Sequence, residues 1–293
     1  MNFDEGIEFI KNDLLPEAVH NRCFCEAGSR EFLEFSSVQV ESLSVERSKK
    51  NAKEYFRARM IVKFSGEPKT FPLIIKLLGN ATVSDRDYDE FLNEEMFYSK
   101  IVQKYKLNIY PKCYVADMGR YGRPVIVLED LEACGYVRVD GKLDEDHLAL
   151  GLKAIEGLHQ RGLRLKAENY NSFREFYAKL IDTRLDTQST SVFNETSSRL
   201  SRILKKLRCG GLEKIDLENE ETLLTLCHGN LIPRECFFYK YEDKKPVEVK
   251  IIGWKRIRYC SIIVDLTFLL QDRVTDENEA DKYLRIYFQG PEI

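Results

Sequence analysis

Histidine is scarce in this chain. Four His among 293 residues, with no Cys-x-x-Cys, leave no zinc-ligand spacing. The eight cysteines, Cys23, Cys25, Cys113, Cys134, Cys209, Cys227, Cys236 and Cys260, are scattered, and the expectation is reduced thiols packed as small apolar groups. An extended segment would place Cys23 and Cys25 on one side, which by itself implies no bridge. There is no excess of positive charge: 45 Lys and Arg face 48 Asp and Glu, a net charge of -3. Bulk attraction to nucleic acid or to an anionic membrane is therefore not expected. No hydrophobic run is long enough to span a membrane; Ile262–Leu270 is short and contains Asp265. The segment Met1–Gly28 carries Asp4, Glu5, Lys11, Asp13 and Glu17 and has no apolar signal core. The expected location is the cytoplasm.

Apolar material is plentiful, at 43% hydrophobic and 32% charged, so a large core is expected rather than disorder. Residues 4–19 have a helical stripe of Ile7, Phe9, Ile10 and Leu14. Alternation predicts a strand at Val38–Val45. Tyr55–Phe64 and Thr70–Leu78 read as a hairpin around the turn signal Gly66 to Lys69. A long helix is predicted over Tyr88–Tyr105, burying Phe91, Met96, Phe97, Tyr98, Ile101 and Val102. Strands follow at Lys112–Ala116 and Pro124–Leu128. The pattern then turns helical, at Asp146–Arg161, Phe173–Leu185 and Val192–Leu207. Short strands and a loop return at 222–270, and a short helix is predicted near Ala280–Tyr287. There is no internal repeat. The basic stretch Arg199–Arg208 has Leu200, Ile203, Leu204 and Leu207 at helical spacing, with Gly210-Gly211 as its cap. Such a stripe packs on a core far more often than on a membrane.

The most informative stretch lies at 226–254. It reads Leu-Cys-His-Gly-Asn, then Glu235 five residues after Asn230, then a lysine-rich hairpin and the strand Val249–Ile252 ending on Gly253-Trp254. Upstream are Phe91-x-x-Glu94-x-x-x-Tyr98, Pro111–Tyr114, the string Val127–Tyr136 and Leu158-His159; downstream are Tyr259 and Asp265-Leu266. In order and spacing these resemble the ecdysteroid-kinase-like, or CHK kinase-like, group of small-molecule kinases, relatives of choline kinase and aminoglycoside phosphotransferases. The resemblance covers roughly residues 30–290.

It implies a two-lobed, protein-kinase-like α+β fold. The expected organisation is a helical segment at 1–30, a sheet-rich N-lobe at 31–132 and a helical C-lobe at 133–293, the last shorter than in related kinases. ATP is the implied cofactor. Lys76, inside the apolar strand, matches the lysine that positions the α- and β-phosphates, and Glu94 matches its partner. The bland alternative has Lys76 snorkelling to solvent. The segment holding Glu129 and Leu131 matches the hinge whose backbone meets adenine, although Glu129 and Asp130 also suit a turn and cap. The phosphate-covering loop is not legible: Glu46–Glu54 contains no Gly, and close approach of backbone N–H groups to phosphate favours Gly.

At the catalytic positions the family residues are replaced. Asn230 stands where the resemblance places the catalytic Asp, next to His228. An amide accepts no proton near neutral pH, and losing a general base costs roughly 10²–10⁴-fold. Glu235 stands at the metal-binding amide position, and Gly253 at the metal-binding Asp. Asp265 matches a brace of the catalytic loop. Mg2+ binding is therefore not expected. The leading expectation is a catalytically impaired or inactive small-molecule-kinase-like protein that binds a nucleotide, a small lipophilic ligand or a protein partner. The alternative is an active ATP-dependent kinase acting on a hydroxyl of a steroid-like molecule, with Glu235 and Asp265 as relocated metal ligands.

Overall fold

The structure, a computed structural model, describes residues 3–26, 37–46, 53–63, 67–79, 83–184, 191–207 and 223–288. Two compact units divide the chain: Met1–Ser99 with Pro111–Gly135, and Lys100–Tyr110 with Tyr136–Ile293.

The first unit is built on an antiparallel sheet. Its strands are β1 (Ser37–Glu46), β2 (Lys53–Lys63), β3 (Lys69–Leu78), β4 (Cys113–Asp117) and β5 (Val125–Glu129), in the order β1-β2-β3-β5-β4. Helices α1 (Phe3–Phe9) and α2 (Leu15–His20), joined by a π turn, bring Ile10, Leu14, Leu15 and Ala18 into one core with the sheet. Side chains alternate along β2 and β3, so Phe56, Ala58 and Met60 with Leu73, Ile75 and Leu77 fill that core. Lys76 therefore points to the opposite face. The predicted hairpin forms, but the residues Gly66 and 47–52 at its two ends lie outside the described residues, and the glycine-free loop with them.

Helix α3 (Asp85–Met96) starts three residues before the predicted Tyr88, because Ser84 caps it by accepting the Asp87 N–H at 3.1 Å. A π segment, Phe97–Ile101, and α4 (Val102–Tyr105) continue it. Phe91, Met96, Phe97, Tyr98 and Ile101 are buried.

The second unit is mostly helical. Helix α5 (Glu145–Glu168) buries Leu148, Leu152, Ile155 and Leu158, and packs on α6 (Tyr170–Tyr177). Helix α7 (Ser191–Leu207) buries Leu200, Ile203 and Leu204, so this part of the basic stripe faces the core. Arg199 and Arg202 of the same stripe pair with Glu195 and Glu277; the Gly210-Gly211 cap lies outside the described residues. Strand β6 (Leu224–Cys227), the short α8 (Pro233–Cys236), β7 (Phe237–Glu242), β8 (Lys245–Ile251), β9 (Arg258–Ser261), α9 (Ile263–Leu270) and α10 (Glu277–Phe288) follow. β6 pairs with β9 and β7 with β8. The fold is thus α+β, with a sheet-rich and a helix-rich unit.

One helix is shorter than its periodicity predicts. The helical pattern Phe173–Leu185 stops at Tyr177. The chain beyond is held elsewhere: Thr183 Oγ1 donates to Lys255 O at 3.3 Å, and Asp182 Oδ1 accepts the Arg184 N–H at 3.1 Å. Tertiary and local side-chain bonds here override helical spacing. No helix among the described residues is long and apolar enough to cross a membrane.

Candidate functional site

The first unit brings Lys76 and Glu94 together. Lys76 Nζ donates to Glu94 Oε1 at 2.7 Å, and both side chains are nearly buried. The pairing follows from strand alternation. Ile75 and Leu77 face the α1–α2 core, so Lys76 faces the sheet's other side, where α3 presents Glu94. Tyr55, directly across the β2–β3 ladder, places its ring 5.8 Å from Lys76 Nζ. A buried ammonium needs such a partner, and the snorkelling alternative does not occur. The pair presents a held cation of the kind that grips phosphate oxygens.

The hinge-like segment is tied to the sheet by its side chains. Glu129 Oε1 accepts the Lys112 N–H at 2.7 Å, and Glu129 N donates back to Lys112 O at 2.9 Å. Asp130, 2% exposed, accepts the N–H groups of Glu132 and Ala133 and pairs with Arg57 at 2.7 Å. Arg57 also reaches Glu132. So the Glu129 carboxylate is engaged with the residue just before β4, and Asp130 is a turn cap as well as an ion-pair partner. Leu131 is buried by its side chain, and its carbonyl accepts the Cys134 N–H.

The second unit holds the loop after β6. Asp265, on α9, is fully buried. Its Oδ2 accepts the His228 N–H at 2.7 Å and its Oδ1 the Gly229 N–H at 2.8 Å. His159, on α5, reaches Asp265 Oδ2 through Nε2 at 3.1 Å, while its Nδ1 faces the Tyr287 hydroxyl at 2.8 Å. These partners assign the tautomer: Nε2–H donates to the carboxylate, and Nδ1 accepts from Tyr287. Burial alone would raise the Asp265 pKa, but the His159 hydrogen bond, the nearby imidazoles and the Gly229 N–H outweigh it and hold the carboxyl below its usual range. Burial, aided by the neighbouring Cys227, Glu156 and Asp265, pushes the Tyr287 hydroxyl well above its ordinary value.

His228 is also buried, and its role is in the scaffold. Its Nε2 donates to Ile252 O at 2.9 Å, and its ring lies 4.7 Å from that of Trp254. Trp254 in turn donates to Ile251 O at 3.0 Å. The turn around Gly253 is thereby set, with φ of 85°. Gly229, at φ 81°, runs so close to the Arg256 carbonyl that no side chain fits there. Around Gly253 there is room: the nearest atoms to a side-chain carbon would be Cys236 Sγ and His228 Nε2, each 4.0 Å away. Asn230 is half-buried, and its carbonyl accepts the Ile232 N–H at 2.9 Å. Glu235 sits exposed in α8.

The donor set does not suit a clamped magnesium ion. Mg2+ requires near-octahedral oxygen ligation, anchored by carboxylates. Gly253 offers no side-chain atom, Asn230 offers an amide, and Glu235 is the one carboxylate at the three matched positions. Asp265 is committed to three N–H donors. His159, Cys227 and Asp265 do bring one ligand atom each within 4.8 Å of the others. There the His159 N–H already donates to the carboxylate, and burial pushes the Cys227 thiol far above its ordinary pKa, so it keeps its proton and donates to Cys260 O at 3.4 Å. The cluster is a hydrogen-bonded brace.

Sequence reasoning missed Tyr287 and Trp254 as supports of this loop. A Tyr 128 residues from its His partner carries no local signal; only the helical stripe of α10, which buries Ala280, Tyr283, Leu284 and Tyr287, hinted that this side chain points inward.

No curated protein matches the chain. Solved structures similar to it include the GDP and kanamycin complex of APH(2")-IIia, at 14% identity, 87% of this chain, 80% of that one and a TM-score of 0.44. A choline/ethanolamine kinase family protein from Mesorhizobium loti has 16% identity over 94% of this chain and 78% of its own, with a TM-score of 0.42. The ecdysteroid kinase-like family matches residues 52–290, a span that runs from β2 through α10 and holds Lys76, Glu94, the 228–230 loop and its Asp265 brace. The chain belongs to the ecdysteroid kinase-like family, with the kinase-like α+β fold.

Proposed function

We propose that this protein is a kinase-like binding protein: it keeps the grip on nucleotide phosphates and has lost magnesium-dependent phosphoryl transfer. The observation that carries the reading is Gly253. The residue at the family's metal-binding Asp position has no ligand atom, although the turn that holds it is fully built. Asn230 removes the proton acceptor at the same loop. Against these losses, Lys76–Glu94 and the Asp265 brace are complete. Scaffold without reactive groups fits binding of ATP and of a small lipophilic ligand rather than turnover. The active-kinase alternative relocates the metal ligands to Glu235 and Asp265, and a metal on Asp265 would strip His228 and Gly229 of their acceptor.

Thermal melts with ATP, with and without Mg2+, test this. ATP at about 100 times its Kd is expected to stabilise the fold by ~2.7 kcal/mol, equally with and without magnesium. Lys76→Met is expected to abolish the shift. A magnesium-dependent shift accompanied by phosphate transfer to a hydroxylated lipophile would overturn the reading, and no shift at all would remove the nucleotide from it.

A gain-of-function variant probes the same point. Asn230→Asp combined with Gly253→Asp is expected to make the ATP shift magnesium-dependent. Position 253 has room for a side-chain carbon, and Asp tolerates positive φ better than most residues. If metal titration leaves the melting temperature unchanged, these positions are not equivalent to the family's metal ligands.

A further inference from the structure

We infer a ligand pocket in the helical unit for a compact apolar molecule that carries one anionic group: a carboxylate, sulfate or phosphate. The inference deepens the reading above, on which it rests for the idea that the chain binds a lipophilic ligand. A cavity of about 540 Å3 opens beside the loop that follows Asn230, within the range of roughly 300–1,000 Å3 usual for small-molecule sites. Its apolar wall is made by Leu143 just before α5, Leu148 in its first turns, Leu269 at the end of α9, and Ile232. Val192 of α7 adds a side chain that is 51% exposed.

The charge around this wall is one-sided. Lys142, Arg234 and Arg273 line the cavity, against the single carboxylate of Asp272. None of the three cations has an ion pair or side-chain hydrogen bond among the described residues. Elsewhere in the same unit Arg184, Arg199, Arg202 and Arg285 each sit on a carboxylate. Unmatched cations at the mouth of an apolar cleft focus a positive potential into it. A guanidinium also meets a carboxylate, sulfate or phosphate with two parallel N–H bonds. A neutral lipophile would fill the wall and leave the rim unused, and a bare anion would do the reverse. The cavity is also joined to the kinase-like loop, because the turn leading into Ile232–Arg234 is closed by the Asn230 carbonyl.

Isothermal titration of the full chain with pyrenebutyrate, pyrenebutanol and butyrate tests the pocket. Pyrenebutyrate is expected to bind about tenfold more tightly than the alcohol, a difference of ~1.4 kcal/mol, and butyrate to give no measurable heat. In Arg234→Glu/Arg273→Glu the acid is expected to lose its advantage, and Val192→Trp, which fills the wall, is expected to weaken both pyrenes. Arg234 is exposed and Arg273 half-buried, and a melt of each variant confirms that the fold persists. Equal affinity for acid and alcohol, an advantage that survives the double charge reversal, or indifference to Val192→Trp would each overturn the pocket. The ATP shift measured on the double variant keeps the two readings apart. If it persists while pyrenebutyrate shows no preference in the wild type, only the pocket fails. If it is absent in the wild type while the preference holds, only the nucleotide reading fails.

Discussion

Asp265→Ala is expected to lower the unfolding free energy by about 3–5 kcal/mol, read from urea denaturation. The carboxylate is the common acceptor for the His228 N–H, the Gly229 N–H and His159 Nε2–H, all in a dry interior. Truncation leaves three buried donors without acceptors, and each such orphan costs roughly 1–3 kcal/mol; relief of the carboxylate's own burial returns part of that. The effect has a pH signature. The Asp265 carboxyl is held below its usual range in the folded state, so its contribution is complete above the ordinary aspartate value of about 3.9. It is lost as pH falls through the lower, folded-state value. The gap between wild type and variant is therefore flat at neutral pH and closes only in strong acid. A loss below about 1 kcal/mol at pH 7 would mean that water replaces the carboxylate, and that the loop is not braced as described.

Gly229→Ala is expected to be nearly as damaging, through sterics alone. At φ 81°, an L side chain carries a left-handed penalty of about 1–2 kcal/mol. Its methyl would also drive into the Arg256 carbonyl, with Arg258 Cγ 3.4 Å away, so backbone must move; overpacking of this kind adds about 1–3 kcal/mol. Gly253→Ala is the internal control. Its φ is 85°, but the nearest atoms are 4.0 Å away, so only the left-handed penalty applies. Chemical denaturation of the two variants should separate them by the cost of the clash. Equal losses would show that the Arg256 carbonyl gives way freely.

The Lys76–Glu94 pair and the 228–230 loop were unequally legible in the sequence. Lys76 stood out as one cation within an apolar strand, and Glu94 lay on the next predicted helix; period-2 alternation and a single cap then suffice to bring them together. The loop at 228–230 was legible as a string, and Asp265 only as a residue that the family resemblance matched to a brace. Other supports were not. The Ile252 carbonyl that receives His228 Nε2 is backbone and leaves no mark in composition. Tyr287 meets His159 only because α5 and α10 pack together. The helical pattern past Tyr177 misled because Thr183 and Asp182 found bonds outside the helix.

By itself the chain determined its class and which residue types stand in the 228–254 stretch. Periodicities of two and 3.6 separate a sheet-rich stretch from a helical one, and Asn230, Glu235 and Gly253 are facts of covalent structure that no folding can reverse. Tertiary structure alone decided which polar groups are spent on scaffold. A carboxylate read from sequence is equally a metal ligand or a brace. Only its burial beneath three N–H donors assigns Asp265 to the second role, because hydrogen-bond partners across long sequence separations are chosen by packing.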